Sequence, residues 1–365
     1  MTGNLASKRP GVQTAVVGAG GFAGQELARL LLGHPRLRGV APLFLGRERG
    51  SGEHGRREPD SLAAVHPALR GLAEESALKV RAFDWALLAE RGVDTLFLAT
   101  PHEQSRAWVP EALGRGLRVV DLSGAWRLKS DAARAVYGFV DNESGEAAEV
   151  QAQAVYGMPE LHAPDIATAR LVANPGCYAT SVILALKPLV AAGLLDLEHG
   201  VICDAKSGVS GAGKEPTAKT HFMYAANNFS AYGLWEHRHI GELYEQLDVT
   251  AEQIVFTPHL LPIPRGILST MYVRFRERTT AAAVEACFKA FYAGRRMVRV
   301  FGEKELPQIA YVERTNFCDV GASIAEDGRR GIVVACLDNL LKGAASQAVQ
   351  NWNLMCGWDE VEGLL

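Results

Sequence analysis

Three observations predict a two-domain α/β protein. Strands alternate with helices from residue 12 to residue 122, a glycine-rich turn joins the first strand to the first helix, and the pattern changes after residue 176. The expected architecture is a doubly wound parallel sheet that binds a dinucleotide, followed by an α+β domain with a mixed sheet. A chain of 365 residues suits two domains at ~150 residues each.

Val12 to Val17 is a short β-rich run that stops at Gly18-Ala19-Gly20-Gly21-Phe22-Ala23-Gly24. Helical spacing follows, with Leu27, Leu30 and Leu31 at i, i+3 and i+4. Two registers fit the turn: Gly18-x-Gly20-x-x-Ala23 and Gly18-x-x-Gly21-x-x-Gly24. Either turns backbone amides and a helix N-terminus, Phe22 included, toward a pyrophosphate. Val40 to Leu45 reads as the second strand and leads into Gly46-Arg47-Glu48-Arg49. An arginine in that loop, Arg47 or Arg49, suits a 2′-phosphate, so NADP(H) is expected over NAD. Ser51 to Leu72 is polar and carries no readable signal.

Val93 to Ala99 ends in Thr100-Pro101-His102, and Leu117 to Leu122 ends in Ser123-Gly124-Ala125-Trp126-Arg127. Ligands of open parallel sheets lie beyond such strand ends. Tyr137 to Leu171 reads as connecting structure. In the second half, strands are expected at Val201–Lys206, Ile254–Pro258, Leu268–Phe275 and Gly331–Cys336. Helices are expected over Thr280–Tyr292 and Gly343–Met355. The boundaries that follow are a loose tail over 1–11, a first domain over 12–175 and a second over 176–339. A closing helix within 340–365 is expected to return to the first domain.

The bulk properties narrow the functions. Hydrophobic residues at 48% and charged residues at 22% are those of an ordinary globular protein. A net charge of −3 argues against a nucleic-acid or membrane-surface partner. Cysteines 177, 203, 287, 318, 336 and 356 are scattered without C-x-x-C, which suggests reduced thiols and a cytoplasmic location. No apolar leader opens the sequence, and no run reaches the ~18 apolar residues that span a bilayer.

Two stretches carry chemistry. The apolar run Leu171 to Ala173 breaks at Asn174-Pro175-Gly176, and Cys177 follows in the first turn of a helix. Free amides and the positive helix end there favour a thiolate, which suits a nucleophile; a buried turn residue fits equally. The second stretch is Glu236 to Leu247, helical from His239 onward. His239 and Glu242 then share a face, where a carboxylate would orient the imidazole and raise its pKa for proton transfer. His237 is the rival proton carrier. H-x-H also occurs in zinc sites, but no third ligand is evident and no metal is expected. Ser207 to Lys214 looks like a phosphate loop, yet Glu215 stands where such a loop needs Ser or Thr.

With these motifs in order, the chain resembles the N-acetyl-gamma-glutamyl-phosphate reductases of the wider aspartate-semialdehyde and glyceraldehyde-3-phosphate dehydrogenase group. The resemblance runs from Thr14 to Leu365 and is sharpest at Ala173 to Thr180. Gly18 to Gly24, Asp121-Leu122-Ser123, Ser207 to Gly213, His237-Arg238-His239, Pro264-Arg265-Gly266 and Asp338 to Gly343 support it. It implies a Rossmann-type NADP-binding domain, a catalytic and oligomerisation domain, and a homodimer or homotetramer. The implied reaction reduces an acyl phosphate, N-acetyl-L-glutamyl 5-phosphate, to the 5-semialdehyde and inorganic phosphate in arginine biosynthesis. The Pro175-Gly176 pair favours this reaction over the aminoadipyl reductases of lysine biosynthesis; aspartyl phosphate reduction and a silent NADP-binding redox sensor are the other readings. Cys177 is the implied nucleophile, with His239, His237 and Glu242 as its partners. Ser123, Asn174 and Arg265 are expected at the substrate, and Thr100, Pro101, Ser207, Gly208 and Asn339 at the cofactor.

Overall fold

The computed structural model describes residues 12–46, 61–139 and 145–365. The Arg47-Glu48-Arg49 loop and the 1–11 tail lie outside them. The first sheet contains β1 (Gln13–Val17), β2 (Leu43–Gly46), β3 (Val80–Ala82), β4 (Val93–Leu98), β5 (Arg118–Asp121), β6 (Val155–Tyr156) and β7 (Leu171–Ala173). All pairings are parallel, in the order β3-β2-β1-β4-β5-β7-β6. Alternate residues of one strand point to opposite faces, and both faces are covered. Val16, Phe44, Phe97 and Val120 meet Leu27 and Leu31 of the Phe22–Gly33 helix on one side. Ala15, Val17, Leu96, Leu98 and Val119 meet Trp108, Val109 and Ala112 of the His102–Gly114 helix on the other. Burial on both faces explains why these strands read as continuous apolar runs. The strand order reverses between β1 and β4, which opens a crevice beyond their carboxyl ends.

The second sheet contains β8 (Val201–Gly208), β9 (Ser230–Ala231), β10 (Ile254–Leu261), β11 (Ile267–Arg274), β12 (Val298–Val300), β13 (Cys318–Ile324) and β14 (Arg330–Leu337). Its order is β12-β13-β14-β11-β8-β10-β9 and it is mixed: β8–β10 and β12–β13 are parallel, the other pairings antiparallel. One face packs on the Cys177–Ala191 and Ala281–Phe291 helices through Val182, Ile183, Leu186, Val284 and Phe288. The other face leaves Ile202, Tyr272 and Ile332 exposed, side by side in register across β8, β11 and β14.

The chain then crosses back. Leu341–Ala345 forms a π-helical turn that runs into the Ser346–Met355 helix. Val349 and Trp352 of that helix belong to the core of the first sheet beside Leu27 and Phe97. Lys342 in the turn is fully buried and donates to Glu160 Oε1 (2.7 Å) and Gln350 Oε1 (2.8 Å). Two readings of the sequence fell short. Ser61 caps a short helix whose Leu62 and the nearby Leu69 are core residues, in a stretch that carried no sequence signal. β13 is buried through its first five residues, so its small-residue sequence shows no alternation.

Removing one partner of a buried ion pair strands the other. Lys342→Met is therefore expected to destabilise the protein by about 3–5 kcal/mol in denaturant unfolding. The Lys342→Met/Glu160→Leu pair, which leaves no unpaired charge, should recover much of that loss.

Candidate active site

The glycine turn builds a cradle at the crevice. Gly18 has φ +83°, and a Cβ on it would lie 2.3 Å from the Ala99 carbonyl oxygen at the end of β4. A Cβ on Gly24 would lie 2.4 Å from Gly18 O, so only glycine lets helix and strand close together there. Gly20 faces open space instead, where a ligand can approach the backbone. Gly21 caps the Phe22–Gly33 helix without a side-chain bond, which leaves the first-turn amides of Phe22 and Ala23 for an anion. Across the crevice, the Thr100 hydroxyl is buried without a partner among the described residues, and Pro101 starts the next helix. These features fit a dinucleotide: a pyrophosphate on the turn, and a polar group at Thr100.

Cys177 is the first residue of its helix, with Gly176 as N-cap. A methyl group on Gly176 would fall 2.4 Å from His239 Nε2, so the imidazole lies directly against the residue before the thiol. His237 lies behind, its ring 4.8 Å from that of His239 and set among Tyr178, Tyr232 and Phe256. Its Nδ1 accepts the His239 amide (3.3 Å). The nearer ring is that of His239.

Glu242 does not orient His239 as the helical spacing suggested. His239 Nδ1 has no partner among the described residues, while the fully buried Glu242 carboxylate turns toward the first domain. Its Oε2 accepts the Gly176 amide (2.9 Å) and the Tyr156 hydroxyl (2.7 Å), and its Oε1 accepts Arg127 Nη1 (3.0 Å). Arg127 completes the knot with Nε on Asn174 O (2.7 Å) and Nη2 on Leu122 O (2.9 Å). A cation of this kind is stronger than an imidazole as a carboxylate partner, and its fork also reaches the backbone.

The expected ionisation is corrected too. Burial pushes the Cys177 thiol up to about 11, against the pull of the Tyr178 amide and Arg127. Burial likewise lowers His239 well below its usual value, helped by His237, Arg127, Arg238 and His102, and lowers His237 to about 4. The free protein therefore holds a neutral thiol beside a neutral imidazole.

Hydrogen bonding shows how four further expected site residues are held. Arg265 is buried and bound by Asp338 through Nε (2.9 Å) and Nη2 (3.0 Å) and by Glu26 through Nη1 (2.5 Å), which leaves no fork for a substrate anion. Asn174 donates to Ala344 O (3.1 Å) and accepts from Asn351 (3.1 Å), a role in anchoring the cysteine loop. The Ser123 hydroxyl donates to Asp121 (2.8 Å) and accepts the Ala125 amide (3.1 Å). Asn339 holds the Gly266 amide (2.8 Å) and the Ser210 hydroxyl (2.9 Å), so it shapes the loop that follows β8. Ser207 and Gly208 end β8; Gly208 packs so tightly on the Arg265 backbone that a Cβ would lie 2.7 Å from its nitrogen.

This order of parts has counterparts in known proteins. Residues 13–169 match the family described as semialdehyde dehydrogenase, NAD binding domain, and residues 177–339 match semialdehyde dehydrogenase, dimerisation domain. An N-acetyl-gamma-glutamyl-phosphate reductase from Symbiobacterium thermophilum is 42% identical, with 97% of both chains aligned. One from Methanocaldococcus jannaschii is 36% identical over 96% of this chain and 97% of its own. The chain belongs to the N-acetyl-gamma-glutamyl-phosphate reductase family. Its fold is that of aspartate semialdehyde dehydrogenase II from Vibrio cholerae, at a TM-score of 0.67 and 19% identity over 95% of this chain and 99% of that one.

Within the site of this reductase-family chain, sequence reasoning missed Arg127, Tyr156 and His102. Arg127 and His102 each follow a strand end on the crevice side, and that position was their available signal. Tyr156 and Glu242 join only through the fold.

Below its pKa, a thiol gains thiolate roughly tenfold per pH unit. Alkylation of Cys177 by iodoacetamide in the ligand-free protein, followed on its own peptide by mass spectrometry, should climb steadily from roughly pH 6 to 9. A rate that levels off below neutrality would show a thiolate already formed.

Proposed function

We propose that the chain reduces N-acetyl-L-glutamyl 5-phosphate with NADPH to N-acetyl-L-glutamate 5-semialdehyde and inorganic phosphate, a step of arginine biosynthesis in the cytoplasm. The observation that carries this reading is the thiol of Cys177 at a helix start with the His239 ring against the preceding residue. Family membership supplies the substrate.

In this mechanism His239 takes the Cys177 proton as sulfur attacks the acyl carbonyl. The carbon–oxygen bond to phosphate breaks with its electron pair on phosphate, which takes up a solvent proton as it leaves, and a thioester remains on Cys177. NADPH, when bound, supplies the hydride that reduces this thioester. The imidazolium then gives its proton to the developing oxyanion, and the thiohemiacetal opens to aldehyde and thiol. A neutral thiol–imidazole pair at rest suits this sequence, since the proton stays within the site from attack to release. Gly18 to Gly24 would hold the pyrophosphate, with Thr100 near the other end of the cofactor. Glu242 and Arg127 act as positioning residues that hold the Gly176 and Asn174 backbone.

The row Ile202, Tyr272 and Ile332 supports self-association. Three large apolar side chains aligned on one exposed sheet face are a surface that a second copy can cover. A homodimer, alone or paired into a tetramer, is the assembly this face favours.

Cys177→Ser is expected to bind NADPH normally and lose turnover, measured as phosphate-dependent NADP⁺ reduction by the semialdehyde; retained turnover would end the covalent scheme. His239→Asn should lower kcat by ~10²–10⁴-fold. A larger loss from His237→Asn would exchange the two roles. Tyr272→Glu should shift the protein toward monomer in light scattering after size exclusion.

A further inference from the structure

His102 and Arg238 meet at the mouth of the crevice, and their contact has an unusual chemistry. The Gly124 amide donates to His102 Nδ1 (2.8 Å). A backbone N–H can only donate, so Nδ1 is the acceptor and the neutral ring carries its proton on Nε2. That Nε2 lies 2.5 Å from Arg238 Nη1, and a guanidinium has no acceptor either. Two donors face each other. Protonating the ring fully offers no relief, because it would set a second N–H against Gly124.

The surroundings are positive. Arg238 is exposed and pairs with no carboxylate among the described residues; the Tyr137 ring packs beside it and beside His102. Arg127, itself paired with Glu242, lies within electrostatic reach, while Glu103 in the first turn of the His102 helix is an opposing charge. His102 also begins that helix, whose positive end adds to the field.

We propose that His102 and Arg238 form the pocket for the phosphate group, with one oxyanion accepting both donors where they now confront each other. This rests on the acyl-phosphate reading above and extends it to a named site. Donors arriving from a ring, a guanidinium fork and a helix start suit a tetrahedral oxyanion better than a flat carboxylate. His102 donates as a neutral ring, so phosphate binding does not need an acidic pH.

Titration calorimetry with inorganic phosphate on the full chain tests the pocket without turnover. The wild type is expected to bind, Arg238→Gln and His102→Asn to bind on the order of tenfold more weakly or worse, and Arg238→Lys to fall between. Arg238 is exposed and holds no buried partner, so its variants should fold, which circular dichroism checks. In the oxidative direction, Arg238→Gln should raise KM for phosphate and leave KM for the semialdehyde within about twofold, against the tenfold loss above. Variants that bind phosphate as the wild type does, or a wild type that does not bind it, would overturn the assignment. So would a rise confined to the semialdehyde KM, which would make this the carboxylate pocket. Failure of the wild type to oxidise the N-acetylated semialdehyde would instead remove the function proposed above, with the calorimetric comparison still readable.

Discussion

The buried carboxylate of Glu242 is the interaction on which the site depends. It comes from the second domain, yet its partners are Arg127 in the connection after β5, Tyr156 of β6 and the Gly176 amide at the seam. One side chain thus fixes the backbone just before Cys177 and ties it to two elements of the first domain. Its charge is matched by Arg127, which in turn holds the carbonyls of Asn174 and Leu122. A buried pair of this kind is worth little as net stability and much as geometry, because its removal leaves an unpaired charge.

That knot also sets the electrostatics of the chemistry. Arg127 favours a thiolate at Cys177 and Glu242 opposes it, so their opposing influences leave burial to decide, and the thiol stays protonated. The cations Arg127 and Arg238 act on His239 in the same sense as burial, and the imidazole stays neutral. Neither group is charged before substrate arrives. Reactivity toward adventitious oxidants is lowest in such a state, since oxidation follows thiolate character.

The parts that were legible in the sequence are those governed by local rules. The β1 strand, the Gly18 to Gly24 turn and the helix that follows depend on neighbours in the chain, and so does the placement of Cys177 in a first turn. The roles of Glu242 and Arg265 were misread for a common reason. Helical spacing puts Glu242 near His239, and the guanidinium of Arg265 matches a planar anion, but each finds its partners more than 60 residues away. Asn174, Ser123 and Asn339 shape the loops of the crevice, with their side chains engaged by both backbone and side-chain partners. Charge pairing across domains has no periodicity, so no spacing in one sequence can disclose it.

The π-helical turn at Leu341–Ala345 brings the returning chain against the thiol: a Cβ on Gly343 would lie 2.8 Å from Cys177 Cβ. The polypeptide thus passes between the two domains twice, at residues 174–177 and 338–343, and both passages run side by side at the nucleophile. Only glycine at 343 lets the returning chain lie this close, so the place of the sulfur is set by the joint between the two domains and not by either domain alone.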